Sequence, residues 1–221
     1  MDGWCWADVW ECIADQIPDA PALIHGDRRV TWADFDRRAD GVARALLDAG
    51  AQHQDKFAQY LYNGPEYLES VFAACKAGLA PVNTNYRYAD DELVYLWDNA
   101  DVVAVAFHGC FTERIEGLRA RVPRVRTWLW VDDGSGPCPD WAVPYEDTAK
   151  SATERTAAPW GRRGDDLYLL YTGGTSKARP ASPHAPPALI KARATAACPR
   201  LRRPSTPIHH AAVSTSACVS R

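Results

Sequence analysis

The chain has 221 residues, 47% of them apolar and 24% charged, with a net charge of −3; this is long enough for a real core and ordinary in bulk composition. The charge is unevenly spread: residues 1–177 hold 18 Lys/Arg against 28 Asp/Glu, whereas residues 178–221 hold 7 Lys/Arg and no acid. No apolar run approaches the ~18 residues of a membrane helix, and the start "MDGWCWADVW" lacks the basic and apolar regions of a signal peptide, so a soluble, cytoplasmic protein is expected.

From Asp2 to Ile17, Trp6, Val9, Trp10, Ile13 and Ile17 recur at three- and four-residue steps, which predicts an amphipathic helix stopped by Pro18. "ALIHGDRRVTW" reads as a hairpin turning at Gly26-Asp27. Thr31 with Asp34 is a short version of the capping box, opening a helix with Phe35, Ala39, Val42, Ala43 and Leu46 on one face and Gly50 as its C-cap. "KFAQYLYN" is a strand. "GPEYLESVFAACKAG" is a helix with Pro65 in its first turn, a stripe of Leu68, Val71, Phe72 and Cys75, and Gly78 at its end.

"LAPVN" is the next strand, and "ADDELVYLWDNA" a helix whose acidic start suits its positive dipole end. "VVAVAF" is a strand with the apolar continuity of one covered on both faces. "TERIEGLRARV" is a helix and "VRTWLWV" a strand, while residues 138–165 look like surface connection. Strand and helix alternate, which predicts an α/β architecture with a largely parallel sheet.

Seven widely spaced cysteines without a C-x-x-C pair read as reduced thiols, Cys75 as a buried one. His25 and His53 read as surface histidines, His209-His210 as lacking further metal ligands, and Asp90-Asp91-Glu92 as a solvated helix start. Trp4, Trp6 and Trp10 are expected to cover the first helix against the sheet, with Trp4 at an interface as the alternative.

The chemistry concentrates in "DDLYLLYTGGTS", a strand running into Thr172, Gly173, Gly174, Thr175 and Ser176. Glycines let the backbone approach a ligand and reach positive φ, so successive N–H groups can converge on an anion, and hydroxyls add donors without charge. The loop suits the phosphates of a nucleotide; a plain Gly-Gly turn is the alternative. "GGTSKA" is not a P-loop, having neither its spacing nor its order, and the chain has no G-x-S-x-G or G-x-G-x-x-G.

"DDLYLLYTGGTS", together with "YLYNGPEYLESVFAACKAG" and "APVNTNYRYADDEL", resembles the amino-terminal region of the AMP-forming acyl-CoA synthetases, the adenylate-forming superfamily. The wording is similar to that of actinobacterial long-chain fatty-acid and steroid-acyl CoA ligases, over residues 5–177. The resemblance implies the incomplete amino-terminal large domain of that α/β fold in residues 1–177. It implies a carboxylate substrate, fatty or steroid acyl, that attacks Mg-ATP to give an acyl-adenylate, with CoA then displacing AMP. It also places Thr172, Gly173, Gly174, Thr175 and Ser176 at the phosphate-cradling positions, with Ser176 replacing the usual Thr.

After Ser176 the family pattern stops. Lys177, Arg179, Pro180 and Ala181 stand where a glycine, a proline, a lysine and a glycine are usual, and a proline cannot supply a cation to a phosphate. No adenine-binding aromatic segment, ribose-binding aspartate or carboxy-terminal catalytic lysine follows, so little or no turnover is expected of the chain as written, and a non-enzymatic scaffold or interaction protein is the alternative.

Residues 178–221, rich in Ala, Pro, Arg and Ser, without acids or aromatics, offer too little apolar surface to offset ordering and are expected to be largely disordered. Their abrupt onset predicts a GC-rich coding sequence read out of frame. A natural linker, or a basic arm touching nucleic acid or anionic lipid, is the alternative, although scattered charges and missing aromatics argue against nucleic acid.

Overall fold

The computed structural model describes residues 4–172 and 188–193. In chain order these form α1 (Trp6–Gln16), a hairpin of β1 (Pro21–His25) and β2 (Arg28–Thr31), α2 (Trp32–Asp48), β3 (Lys56–Tyr60), α3 (Pro65–Lys76), β4 (Ala80–Asn83) and α4 (Asp90–Asn99). Then come β5 (Val102–His108), α5 (Thr112–Leu118) between two single 3-10 turns, β6 (Thr127–Val131), β7 (Val143–Pro144), α6 (Tyr145–Ala149), β8 (Leu167–Thr172) and β9 (Ala188–Arg193).

The main sheet runs β7-β6-β5-β3-β4-β8-β9. Every neighbouring pair from β7 to β8 is parallel, and β9 lies antiparallel on β8, Leu167 opposite Arg193 and Thr172 opposite Ala188. The hairpin β1–β2 is a separate antiparallel ribbon.

Local sequence explains most boundaries. Thr31 Oγ1 accepts the Asp34 N–H at 3.1 Å and caps α2. The Asp34 carboxylate accepts the Thr31 hydroxyl at 3.2 Å, a reach that suits its short side chain. Gly78 ends α3 at φ +66, and a Cβ there would stand 2.5 Å from Trp160 Nε1. Trp160 needs that space, because its Nε1 donates to the Ala77 carbonyl at 3.1 Å.

Helices cover both faces of the sheet, as a parallel sheet requires. On one face Phe57, Ala104, Ala106 and Leu129 meet Phe35, Leu46, Phe72 and Tyr145 from α2, α3 and α6. On the other, Tyr60, Val105, Phe107 and Trp128 meet Leu93, Leu96, Trp97 and Ile115 from α4 and α5. Each large side chain so buried contributes roughly 1.5–3 kcal/mol.

Three expectations need correction. Leu68 is 38% exposed, while Glu69 and Lys76 of the same helix are fully buried, because α3 is enclosed by polar partners as well as apolar ones. Arg38 forks onto Glu69 at 2.8 and 3.0 Å and reaches Glu146 at 2.5 Å, while Lys76 sits among Glu11, Asp36 and Asp40. Residues 138–165 are more than surface connection, since they hold β7 and α6 and bury Tyr145 at 1% exposure. Trp10 packs on the rings of Phe35 and Phe72, at 5.6 and 5.0 Å, and so against helices, while Trp6 is 42% exposed and Trp4 half-buried.

His25 is exposed, whereas His53 is half-buried with its Nε2 2.9 Å from Asp166. Cys75 is a half-buried free thiol that burial pushes up to about 12.

Candidate functional site

Parallel pairing brings the carboxyl ends of β3, β4, β5, β6 and β8 to one edge. The chain steps from β3 to β4 on one side, then returns with β5 to the other side of β3. The loops after β3 and β5 therefore part from one another, and such a switch point is where open α/β sheets bind ligands.

A cleft of about 550 Å³ opens beside it. Tyr62 from the loop after β3 and Tyr86 from the loop after β4 form one wall, their rings 4.8 Å apart and both partly exposed. Phe111 backs them, 5.2 Å from Tyr62 and 4.2 Å from the buried Tyr60. Arg114 from α5 supplies the cation: its Nη1 donates to the Tyr60 hydroxyl at 3.1 Å and to the Tyr88 carbonyl at 3.2 Å, and its Nε lies 3.3 Å from Asp90. The Tyr60 bond, reinforced by Asp90, raises the Arg114 pKa further. Arg87 lies over Tyr86 at 5.4 Å.

At the rim, Asp133 accepts the Cys110 N–H at 3.0 Å and the Ser135 hydroxyl at 2.5 Å. Burial works against its charge, but these bonds prevail and hold it at about 2. Burial, with the Asp133 carboxylate beside it, pushes the Cys110 thiol up to about 11, so at neutral pH it is protonated and a poor nucleophile. The aromatic rings suit a planar heterocycle, while the lining sets Asp90 and Glu113 against Arg114 and so carries no excess of positive charge. Among the described residues no cluster of His, Cys, Asp and Glu could hold a metal ion, and no helix is long and apolar enough to cross a membrane.

The loop singled out in the sequence begins on the same edge. Thr172 ends β8, two residues beyond Leu170, which lies opposite Asn83 of β4. Gly173, Gly174, Thr175 and Ser176 lie outside the described residues, as do Lys177 to Ala181. Tyr62, Tyr86, His108 and Arg114 were not among the sequence candidates. Their signal is position, since three of them end or follow strands in the alternation, but their convergence depends on strand order.

The AMP-binding enzyme family model matches residues 10–176. A medium/long-chain-fatty-acid–CoA/3-oxocholest-4-en-26-oate–CoA ligase of Mycobacterium marinum is 37% identical over 177 residues, covering 77% of this chain and 32% of the relative. A 3-oxocholest-4-en-26-oate–CoA ligase of Rhodococcus rhodochrous is 34% identical over 175 residues, covering 77% and 31%. The chain thus spans about a third of the length of the curated relatives it matches. Among solved structures, the anthranilate CoA ligase AuaEII in complex with anthranoyl-AMP superposes with a TM-score of 0.76 at 20% identity, over 87% of this chain and 35% of that one. A Mycobacterium tuberculosis fatty acyl CoA synthetase gives 0.66 at 21%, over 86% and 34%. The α/β fold is that of the adenylate-forming ligases.

Proposed function

The chain belongs to the AMP-binding enzyme family, and on that premise we propose that residues 1–177 are the amino-terminal part of the ligase domain of an ATP-dependent acyl-CoA synthetase of the cytoplasm. In such a reaction a carboxylate oxygen attacks the α-phosphorus of Mg-ATP and pyrophosphate leaves; the thiol of CoA then attacks the acyl carbon and AMP leaves. The substrate class proposed is a fatty or steroid carboxylic acid, after the names of the curated relatives.

The observation that carries the reading is the delivery of β8, through Thr172, to the sheet edge where the aromatic cleft also opens. Thr172, Gly173, Gly174, Thr175 and Ser176 would meet the phosphates with N–H and hydroxyl donors, and magnesium enters with ATP. The cleft of Tyr62, Tyr86 and Arg114 would take the adenine-bearing part of a cosubstrate. With Pro180 at the position of the usual cation, phosphoryl chemistry loses charge neutralisation, on which it chiefly depends. The 221-residue chain is therefore proposed to bind nucleotide without turning over, and residues 178–221 to come from an out-of-frame reading.

Carboxylate-dependent ATP–pyrophosphate exchange with a fatty-acid and steroid-acid panel, run beside equilibrium ATP binding, tests this. Binding without exchange is expected. Clear exchange by this chain overturns the inactivity, and absence of ATP binding overturns the site.

A further inference from the structure

Tyr62 and His108 are joined in a way the ligase reaction leaves unused. His108 closes β5, and its Nδ1 accepts the Tyr62 backbone N–H at 3.1 Å, with the two rings 5.5 Å apart. Tyr62 is also the cleft wall that meets Tyr86 and Phe111. A backbone N–H can only donate, so Nδ1 holds a lone pair and the neutral ring carries its proton on Nε2. A proton on Nδ1 would set N–H against N–H and remove the acceptor from Tyr62.

We propose that His108 is a proton-operated latch on the cleft: neutral, it fixes Tyr62 against Tyr86 and Phe111; protonated, it frees Tyr62 and weakens the hold on an adenine nucleotide. The latch rests on the nucleotide reading of the cleft. His108 touches no reacting atom and acts as a positioning residue through Tyr62.

The groups facing the ring set the direction. Glu66 faces it from α3, already paired with Arg28, and Asp133 faces it from the loop after β6, held ionised by Ser135 and the Cys110 N–H. Both carboxylates favour imidazolium. Burial of the ring opposes them and prevails, so the His108 pKa lies below its ordinary 6.5. With the folded-state pKa depressed, the latched form is fully held above the ordinary value and is lost as pH falls through the folded one.

NMR of the Tyr62 amide and the His108 ring in the full chain, from about pH 7.5 down to about 5, tests the coupling without any variant. The two are expected to titrate together, with a midpoint below that of a free imidazole. ADP affinity is then measured over the same range for the native chain and for His108→Asn, whose amide oxygen accepts a hydrogen bond and does not titrate. The ADP phosphate titrates alike in both, so the ratio of affinities reports the latch. The native chain is expected to lose about threefold to tenfold relative to the variant, the equilibrium equivalent of one hydrogen bond. A Tyr62 amide that ignores the His108 titration, or a ratio that stays flat while ADP binds normally, overturns the latch alone. ADP that binds neither protein at any pH overturns the nucleotide reading of the cleft and takes the latch's ligand with it.

Discussion

Replacing Lys76 by Met tests whether a buried charged layer holds α1, α2 and α3 together over the sheet. Lys76 has no exposed surface; its Nζ lies 2.7 Å from Glu11, 2.7 Å from Asp36 and 2.8 Å from Asp40. Two of these carboxylates keep a cation without it, because Arg162 reaches Glu11 at 2.6 Å and Arg155 reaches Asp36 at 2.8 Å. Asp40 keeps the Thr156 N–H at 2.9 Å and, among the described residues, pairs with no other cation. At that separation and an effective dielectric of ~20, the attraction lost by Asp40 is about 6 kcal/mol. Release of the lysine from its own desolvation offsets part of this, and removing one partner of a buried pair costs about 3–5 kcal/mol. For a chain of this size that lowers Tm by about 6–20 °C. Urea unfolding read by tryptophan fluorescence gives the difference directly.

The pH dependence supplies a second and sharper readout. Burial raises the Asp40 pKa despite Lys76, and loss of Lys76 raises it further. A raised folded-state pKa means that the stabilising contribution of the protonated form is present at low pH and lost as pH rises through that value. The deficit of Lys76→Met should therefore shrink between about pH 7.5 and 5, and Asp40→Asn added to it should recover much of the loss. A deficit below about 1 kcal/mol, or one indifferent to pH and to Asp40→Asn, would refute the reasoning.

Gly41→Ala places a Cβ 2.1 Å from the Thr148 carbonyl oxygen, so α2 and α6 must separate; a loss of about 1–3 kcal/mol is expected in chemical denaturation, and an unchanged midpoint would contradict it. Glu146 is held at about 2, first by its hydrogen bond from Arg38 and then by Lys150 against the opposing burial. Its contribution is fully present above the ordinary 4.5 and is lost as pH falls from there through about 2. Glu146→Gln should therefore flatten the acid limb of the stability–pH profile, and a limb identical to that of the native chain would remove Glu146 from the account.

The alternation of strands and helices is legible because most elements exceed one period of their own pattern and end on residues with a conformational reason to stop, such as Thr31, Gly50 and Gly78. The exceptions have physical causes. β7 and α6 are two and five residues long, too short for periodicity to register. The stripe holds at Val71 and Phe72 and misses at Leu68, while Glu69 and Lys76 are buried by ion pairs with residues far away in sequence, Arg38 for Glu69 and Glu11 for Lys76. An apolar count does not see a charged side chain whose partner is elsewhere.

The site divides along the same line. A loop such as Thr172 to Ser176 states its chemistry in consecutive residues, so pattern alone singles it out. The cleft does not: Tyr62, Tyr86, His108 and Arg114 stand in four separate segments, and none is unusual where it stands. What joins them is that β5 pairs with β3 and not with β4. That single choice of neighbour sets His108 beside Tyr62, opens the crevice between the two loops, and turns the corner from which Phe111 and Arg114 reach Tyr60. Had β5 paired with β4 instead, the same residues and local elements would carry no Tyr62–His108 bond and no cleft at this edge. Strand order, which the alternation leaves open, is therefore the step at which this sequence acquires its aromatic cleft.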